Sequence, residues 1–177
     1  MNYCHNKLYV SGSWEDIHDF ATQLSSSNKK ESNYIFSLSS IFPIPKRISN
    51  IIYTNIFKWY RFVRGYFLRE FKKNESSESK IWFIKNWGTC SDAMNMEKQE
   101  ISITKEGSYL FWNFYTAWSP PTKWLEFVAG KYPNLYFKLD YFDLACDYSG
   151  CAIGYKGIME DSYHHLLSQE EIEEWSS

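Results

Sequence analysis

"AMNMEKQEISITKEGSYLFWNFYTAW", residues 93–118, decides the fold. It reads as two strands joined at "KEG", with Gly107 in the turn, and therefore as a β-hairpin. "SPPTKWLEFVAGKYP" (119–133) follows and reads as a helix: Ser119 fits an N-cap, Pro120 fits the first helical position, and Trp124, Leu125, Phe127 and Val128 supply apolar contacts. "NLYFKLDYFD" (134–143) and "GCAIGYKG" (150–157) read as strands, and "QEEIEEW" as a frayed terminal helix.

Upstream of the hairpin, "NKLYVSG" (6–12) is a short strand ending at Gly12. "SWEDIHDFATQL" (13–24) is a helix with Ser13 as N-cap, Glu15 and Asp16 at its positive end, and Ile17, Phe20, Ala21 and Leu24 on one face. "SSSNKKES" (25–32) is a polar loop, and "NYIFSLSSIFPIP" (33–45) a strand stopped by Pro43 and Pro45. "NIFKWYRFVRGYFLREFKK" is an amphipathic helix, with Phe57, Tyr60, Arg64, Phe67 and Phe71 near one face and Gly65 weakening its middle. "NESSES" (74–79) is a break. "KIWFIKNWG" (80–88) is one or two helical turns ended by Gly88.

The order contains two strand–helix–strand units, which joined side by side form a ferredoxin-like split βαβ sandwich. The expected class is α+β: one antiparallel sheet, helices on one face, and a basic helical insertion over 46–79. Strands near 7–11, 34–38, 109–115 and 135–142 are expected in that sheet, with helices 14–24 and 120–131 on the same side. The sheet is rich in Phe, Tyr and Trp, so its second face needs cover, and the 46–88 insertion is expected to provide it.

A chain of 177 residues suits a single domain over 1–177. The net charge of -2 describes neither a basic nucleic-acid binder nor an acidic mimic of DNA. Locally the charge is uneven. Lys46 to Lys73 holds eight Lys/Arg against Glu70 alone, whereas the acidic C-terminal tail, 158–177, holds six acids and no Lys or Arg. Such asymmetry suggests a partner for the basic piece or attraction between the two. The N-terminus lacks the pattern of a secretory signal and no stretch matches a membrane span, so a cytoplasmic protein with free Cys4, Cys90, Cys146 and Cys151 is expected.

Two motifs stand out, "NWGTCSDA" (86–93) and "FYTAWSPP" (114–121). As chemistry, the first offers Asn86, Thr89, Asp92 and a nucleophile in Cys90. As structure, Gly88 ends a helix, Asn86 and Thr89 bond backbone, Trp87 plugs the sheet and Asp92 caps the next turn, so turn chemistry explains every residue. Ser119 lacks the glycine-flanked elbow of a hydrolase serine. Cys146, Cys151, His164 and His165 lack the tight paired spacing of a zinc site. There is no phosphate loop and no HExxH. Neither catalytic residues, metal nor cofactor are expected.

With "N-x-C-x-N" at Asn2, Cys4 and Asn6, and "P-x-P" at Pro43 and Pro45, these motifs resemble those of the YubB-like family of plasmid and phage proteins, whose function is unknown. "YPNLYFKLDYFD" and Gly150 match too, leaving only 46–79 and the acidic tail outside the resemblance. Cys90 and Ser91 stand where that family usually has Lys and Trp. The resemblance implies a ferredoxin-like fold and a mobile-element origin. From that context the expected function is non-enzymatic binding, as an inhibitor of a host defence complex of CRISPR type or, alternatively, as a nucleic-acid-binding accessory protein. The expected contact residues are Arg61, Arg64, Arg69, Lys72 and Lys73 of the insertion, with Trp87 and Trp118 at one edge of the sheet.

Overall fold

In the computed structural model, residues 3–26, 36–50, 52, 77–104, 107–143, 146 and 148–164 are described. The elements are β1 (Tyr3–Gly12), α1 (Trp14–Ser26), α2 (Leu38–Ile41), α3 (Ser77–Trp87), β2 (Met94–Ile103), β3 (Ser108–Ala117), α4 (Thr122–Lys131), β4 (Tyr136–Asp143), β5 (Tyr148–Tyr155) and β6 (Ile158–His164). The six strands form one sheet in the order β2-β3-β1-β4-β5-β6, every neighbouring pair antiparallel.

The first four strands carry the ferredoxin-like pattern. β1, α1 and β2 make one split unit, with β3 inserted between the strands. β3, α4 and β4 make the other, with β1 between them. The fold class is the expected one, but its second strand is Met94–Ile103 and not 34–38. Phe36 and Ser37 lead instead into the short helix α2. All of 27–93 is therefore an excursion between α1 and β2. β5 and β6 extend the sheet beyond β4, so 158–164 of the acidic tail is a strand.

α1 begins as expected. The Ser13 hydroxyl accepts from the Asp16 amide (3.2 Å), a side-chain N-cap, and donates to the Asp16 carboxylate (2.6 Å). Ile17, Phe20 and Leu24 enter the core, as do Trp124, Leu125 and Val128 of α4. Both helices cover the same sheet face, whose buried residues are Leu8, Val10, Leu110, Trp112, Phe114, Phe137 and Leu139.

The described parts of the excursion pack on this helical side too. Phe36 lies against Trp112, Phe114 and Trp124, with ring centroids 4.8, 4.9 and 5.6 Å away. Most of the 46–88 insertion expected to cover the second face lies outside the described residues. The basic helix, including Arg61, Arg64, Arg69, Lys72 and Lys73, lies outside the described residues.

Candidate functional site

The motif residues converge on one corner of the fold, and they hold it together. α3 ends at Gly88, whose amide bonds the carbonyls of Phe83 and Ile84 at 3.2 and 3.1 Å. Gly88 has φ +84, and a Cβ there would come within 3.1–3.2 Å of the backbone of Pro120, Thr122 and Lys123, so the two motifs touch backbone to backbone. Thr89 Oγ1 and the Cys90 amide both donate to the Ala117 carbonyl, and the Ala117 amide donates to Ser91 Oγ. Ser119 Oγ donates to the Gly88 carbonyl at 2.6 Å.

Ser119 is thus a bridge and not the expected N-cap. Pro120 and Pro121 have no N–H to offer a capping hydroxyl, and α4 starts at Thr122 behind Pro121. Asp92 caps a helix, but a distant one. Its carboxylate accepts from the Leu38 amide (2.6 Å), Ser37 Oγ (2.7 Å), the Ser39 amide (3.4 Å) and the Ala93 amide (2.7 Å), fixing the start of α2 from across the chain. Asn86 Nδ2 bonds back to the Trp82 carbonyl at 2.7 Å.

Trp87 and Trp118, expected to meet at one edge, have opposite fates. Trp87 is wholly buried, stacks on Phe83 (4.9 Å), meets Trp82 edge-on (5.5 Å) and donates Nε1 to the Phe42 carbonyl (3.2 Å). Trp118 is 55% exposed in the left-handed region, φ 74. Its carbonyl accepts from Tyr148 Oη at 3.1 Å. The motifs do meet, through backbone and small polar side chains.

The N-terminal motif joins the same corner. Asn6, fully buried, donates Nδ2 to the Cys4 carbonyl and to Thr116 Oγ1, both at 2.9 Å, and Thr116 Oγ1 donates to the Ser119 carbonyl at 2.8 Å. Burial pushes the Cys4 thiol up to about 12. The raised value keeps it protonated and unreactive. Since the folded value lies above the unfolded 9.0, this thiol's stabilising contribution is intact below pH 9 and is lost as pH climbs toward 12. At pH 8 a thiol reagent is expected to label exposed Cys146 in the native protein and Cys4 only after denaturation, which mass spectrometry of peptides would check. Rapid native labelling of Cys4 would contradict its burial.

The opposite sheet face is the better candidate for function. An antiparallel sheet with one face on a core normally turns polar side chains outward. Here successive rows outward are largely aromatic. Tyr115, His5 and Phe142 pair across β3, β1 and β4, with His5 4.0 Å from Tyr115 and 4.4 Å from Phe142 between ring centroids. The next row is polar: Asn113, Lys7, Asp140 and Cys151. Phe111, Tyr9, Lys138 and Ile153 follow, then Tyr109, Ser11 and Tyr136. Tyr9 stacks on Tyr109 at 5.8 Å and Tyr136 meets Tyr155 at 6.2 Å. Tyr3, Ile153, Tyr155 and Ile158 are large apolar side chains left exposed on or beside this face. Lys138 pairs with Asp140 at 2.7 Å. The outward aromatics are visible in the sequence as "YLFWNFY", where neither strand face is polar.

Among the described residues no group of three or more His, Cys, Asp or Glu gathers as a metal site, and no described helix is long and apolar enough to cross a membrane.

Residues 97–176 match the family model described as a ferredoxin-like domain in Api92-like protein. No curated protein matches the chain. Among solved structures, the crystal structure of a protein api92 from Yersinia pseudotuberculosis is similar, with a TM-score of 0.47 and 9% identity, covering 95% of this chain and 99% of that one.

Proposed function

We propose that this chain is a non-enzymatic binding protein of a phage, plasmid or integrated element, and that its target lies on the outward aromatic face of the sheet. The observation that carries the reading is the stacked pair Tyr9 and Tyr109, turned away from the core, with Ile153 and Tyr155 exposed on the same face. Aromatic side chains carry large contact area at small entropic cost, and they concentrate at recognition surfaces. The motif residues with chemical potential are already engaged: Asp92 caps α2, Ser119 bridges to Gly88, and Cys90 sits in the loop pinned to Ala117. The plasmid and phage resemblance suggests a host defence complex as the setting. Such complexes hold both protein and nucleic acid, so either can meet this face.

Capture from host lysate, with and without nuclease, tests the proposal when three forms are compared: wild type, Tyr9→Ala/Tyr109→Ala, and Cys90→Ala. The double variant is expected to lose at least about nine-tenths of the wild-type catch, consistent with aromatic hot spots, while Cys90→Ala stays within a few-fold. Circular dichroism confirms folding of each. Undiminished capture by the folded double variant, or total loss with Cys90→Ala, would reject the sheet-face reading.

A further inference from the structure

We infer that the acidic segment 170–175, "EEIEEW", docks as a short helix on the outward face of α3, setting Ile172 and Trp175 on Ile81 and Ile84 and its glutamates against Lys80 and Lys85. The contact is independent of the sheet-face reading. On its inner side α3 buries Trp87 and half-buries Trp82 and Phe83. On its outer side Ile81 and Ile84 are 60% and 50% exposed, with Lys80 and Lys85 exposed beside them. Spacings of three and four residues make these four side chains neighbours on one face. Glu78, the acid of the first turn, is held by Arg47, so the lysines set the charge of that face. A helix that is apolar on both sides ordinarily packs on both.

Charge and reach select the occupant. The basic insertion, with Arg61, Arg64 and Arg69, would bring like charge to Lys80 and Lys85. Segment 170–175 brings Glu170, Glu171, Glu173 and Glu174, and its Ile172 and Trp175 share a face when it winds as a helix. Residues 165–177 lie outside the described residues, but the point they depart from does not. His164 pairs with Ser149, Ser149 with Phe142, Phe142 with His5 and His5 with Tyr115. β6 therefore ends at the same end of the sheet as β3, where Thr89 and Cys90, just after α3, bond the Ala117 carbonyl. Four strand spacings separate β6 from β3, roughly 19 Å. The chain from His164 to Ile172 reaches at most about 27 Å.

A helix this short is unstable alone, so the segment winds only where the apolar pair and the charges act together. The experiment treats the full chain with a carbodiimide, which joins a touching lysine and glutamate as an amide, and reads the linked peptides by mass spectrometry. Links from Lys80 or Lys85 to the glutamates of 170–174 are expected within one chain. An equal mixture of nitrogen-15 and unlabelled chains should show them with unmixed isotopes. Ile172→Ser/Trp175→Ser should cut their yield about fivefold or more, as should Ile81→Ser/Ile84→Ser at two exposed positions. In the tail variant, hydrogen exchange over 80–86 should also rise. Circular dichroism confirms folding. The tail variant leaves every described residue untouched, and it decides if α3 loosens in the other.

Four results would overturn the inference. Links between 80 or 85 and 170–174 are absent. Links run only to Lys58, Lys72 and Lys73, which seats the segment on the insertion. Links carry mixed isotopes, which makes the occupant a second copy. Links persist undiminished in Ile172→Ser/Trp175→Ser, which leaves charge contact without docking. Capture by the sheet face is measured separately, so that reading stands or falls apart from this one.

Discussion

Replacing Gly150 by alanine is expected to destabilise the protein by about 3 kcal/mol, at the upper end of ordinary overpacking. Gly150 pairs with Tyr141 across β4 and β5 on the core side of the sheet. A Cβ at 150 would stand 2.2 Å from Tyr141 Oη and 2.3 Å from its Cζ, closer than any non-bonded contact allows. The ring cannot swing aside without loss, because its hydroxyl donates to Asp161 Oδ1 on β6 at 2.7 Å. Burial raises the pKa of that hydroxyl, and the hydrogen bond to Asp161 raises it further, so the phenol stays protonated and remains the donor. The glycine and the tyrosine therefore act as one unit. In a Tyr141→Ala background the ring is gone, and Gly150→Ala should add less than about 1 kcal/mol, a strongly non-additive cycle. Urea denaturation of the four forms measures it. Additive losses would show that some other contact makes alanine intolerable at 150.

The same pairing shows how far the sequence carries. Hairpin β2–β3 and the helices are local patterns, legible from a turn glycine and a repeating apolar face. The ferredoxin-like class followed from them, although 33–45 was expected to supply the second strand. "FSLSSIF" alternates like a strand, but Asp92 takes the Leu38 amide and Trp124 Nε1 donates to the Leu38 carbonyl at 2.9 Å. Both partners are distant in sequence, and together they fix a short helix that local propensity does not announce. Ser119 fails as a cap for a nearer reason: the two prolines after it have no amides, the Thr122 amide bonds the Pro120 carbonyl at 2.9 Å, and α4 starts only at Thr122. The outward aromatic face is present in the alternation of β3. It was missed because outward aromatics look like core residues until strand neighbours and helix side are known. The aromatic surplus was noticed, but which rings face out depends on register.

Trp87→Ala and Trp118→Gly, one in each motif, should move stability in opposite directions. Trp87 is fully buried between Phe83 and Trp82, and its indole N–H satisfies the Phe42 carbonyl. Truncation to alanine removes the ring and leaves a cavity, at about 3–5 kcal/mol. The loss should appear first as release of α3 from its neighbours, since the sheet's own ladders do not pass through Trp87. Hydrogen exchange should therefore rise over 77–92 while β1, β3 and β4 keep their protection. Trp118 is the reverse case. A bulky residue at φ 74 costs roughly 1–2 kcal/mol relative to a relaxed backbone, and glycine takes that conformation freely. With the indole half in solvent, little packing is lost, and Trp118→Gly should stabilise the fold by up to about 1 kcal/mol. A tryptophan held there against its own backbone preference fits a contact residue, and capture of the target should fall in this variant even as stability rises. If Trp118→Gly lowers stability by more than about 1 kcal/mol, its indole packs as structure and has no claim to the interface.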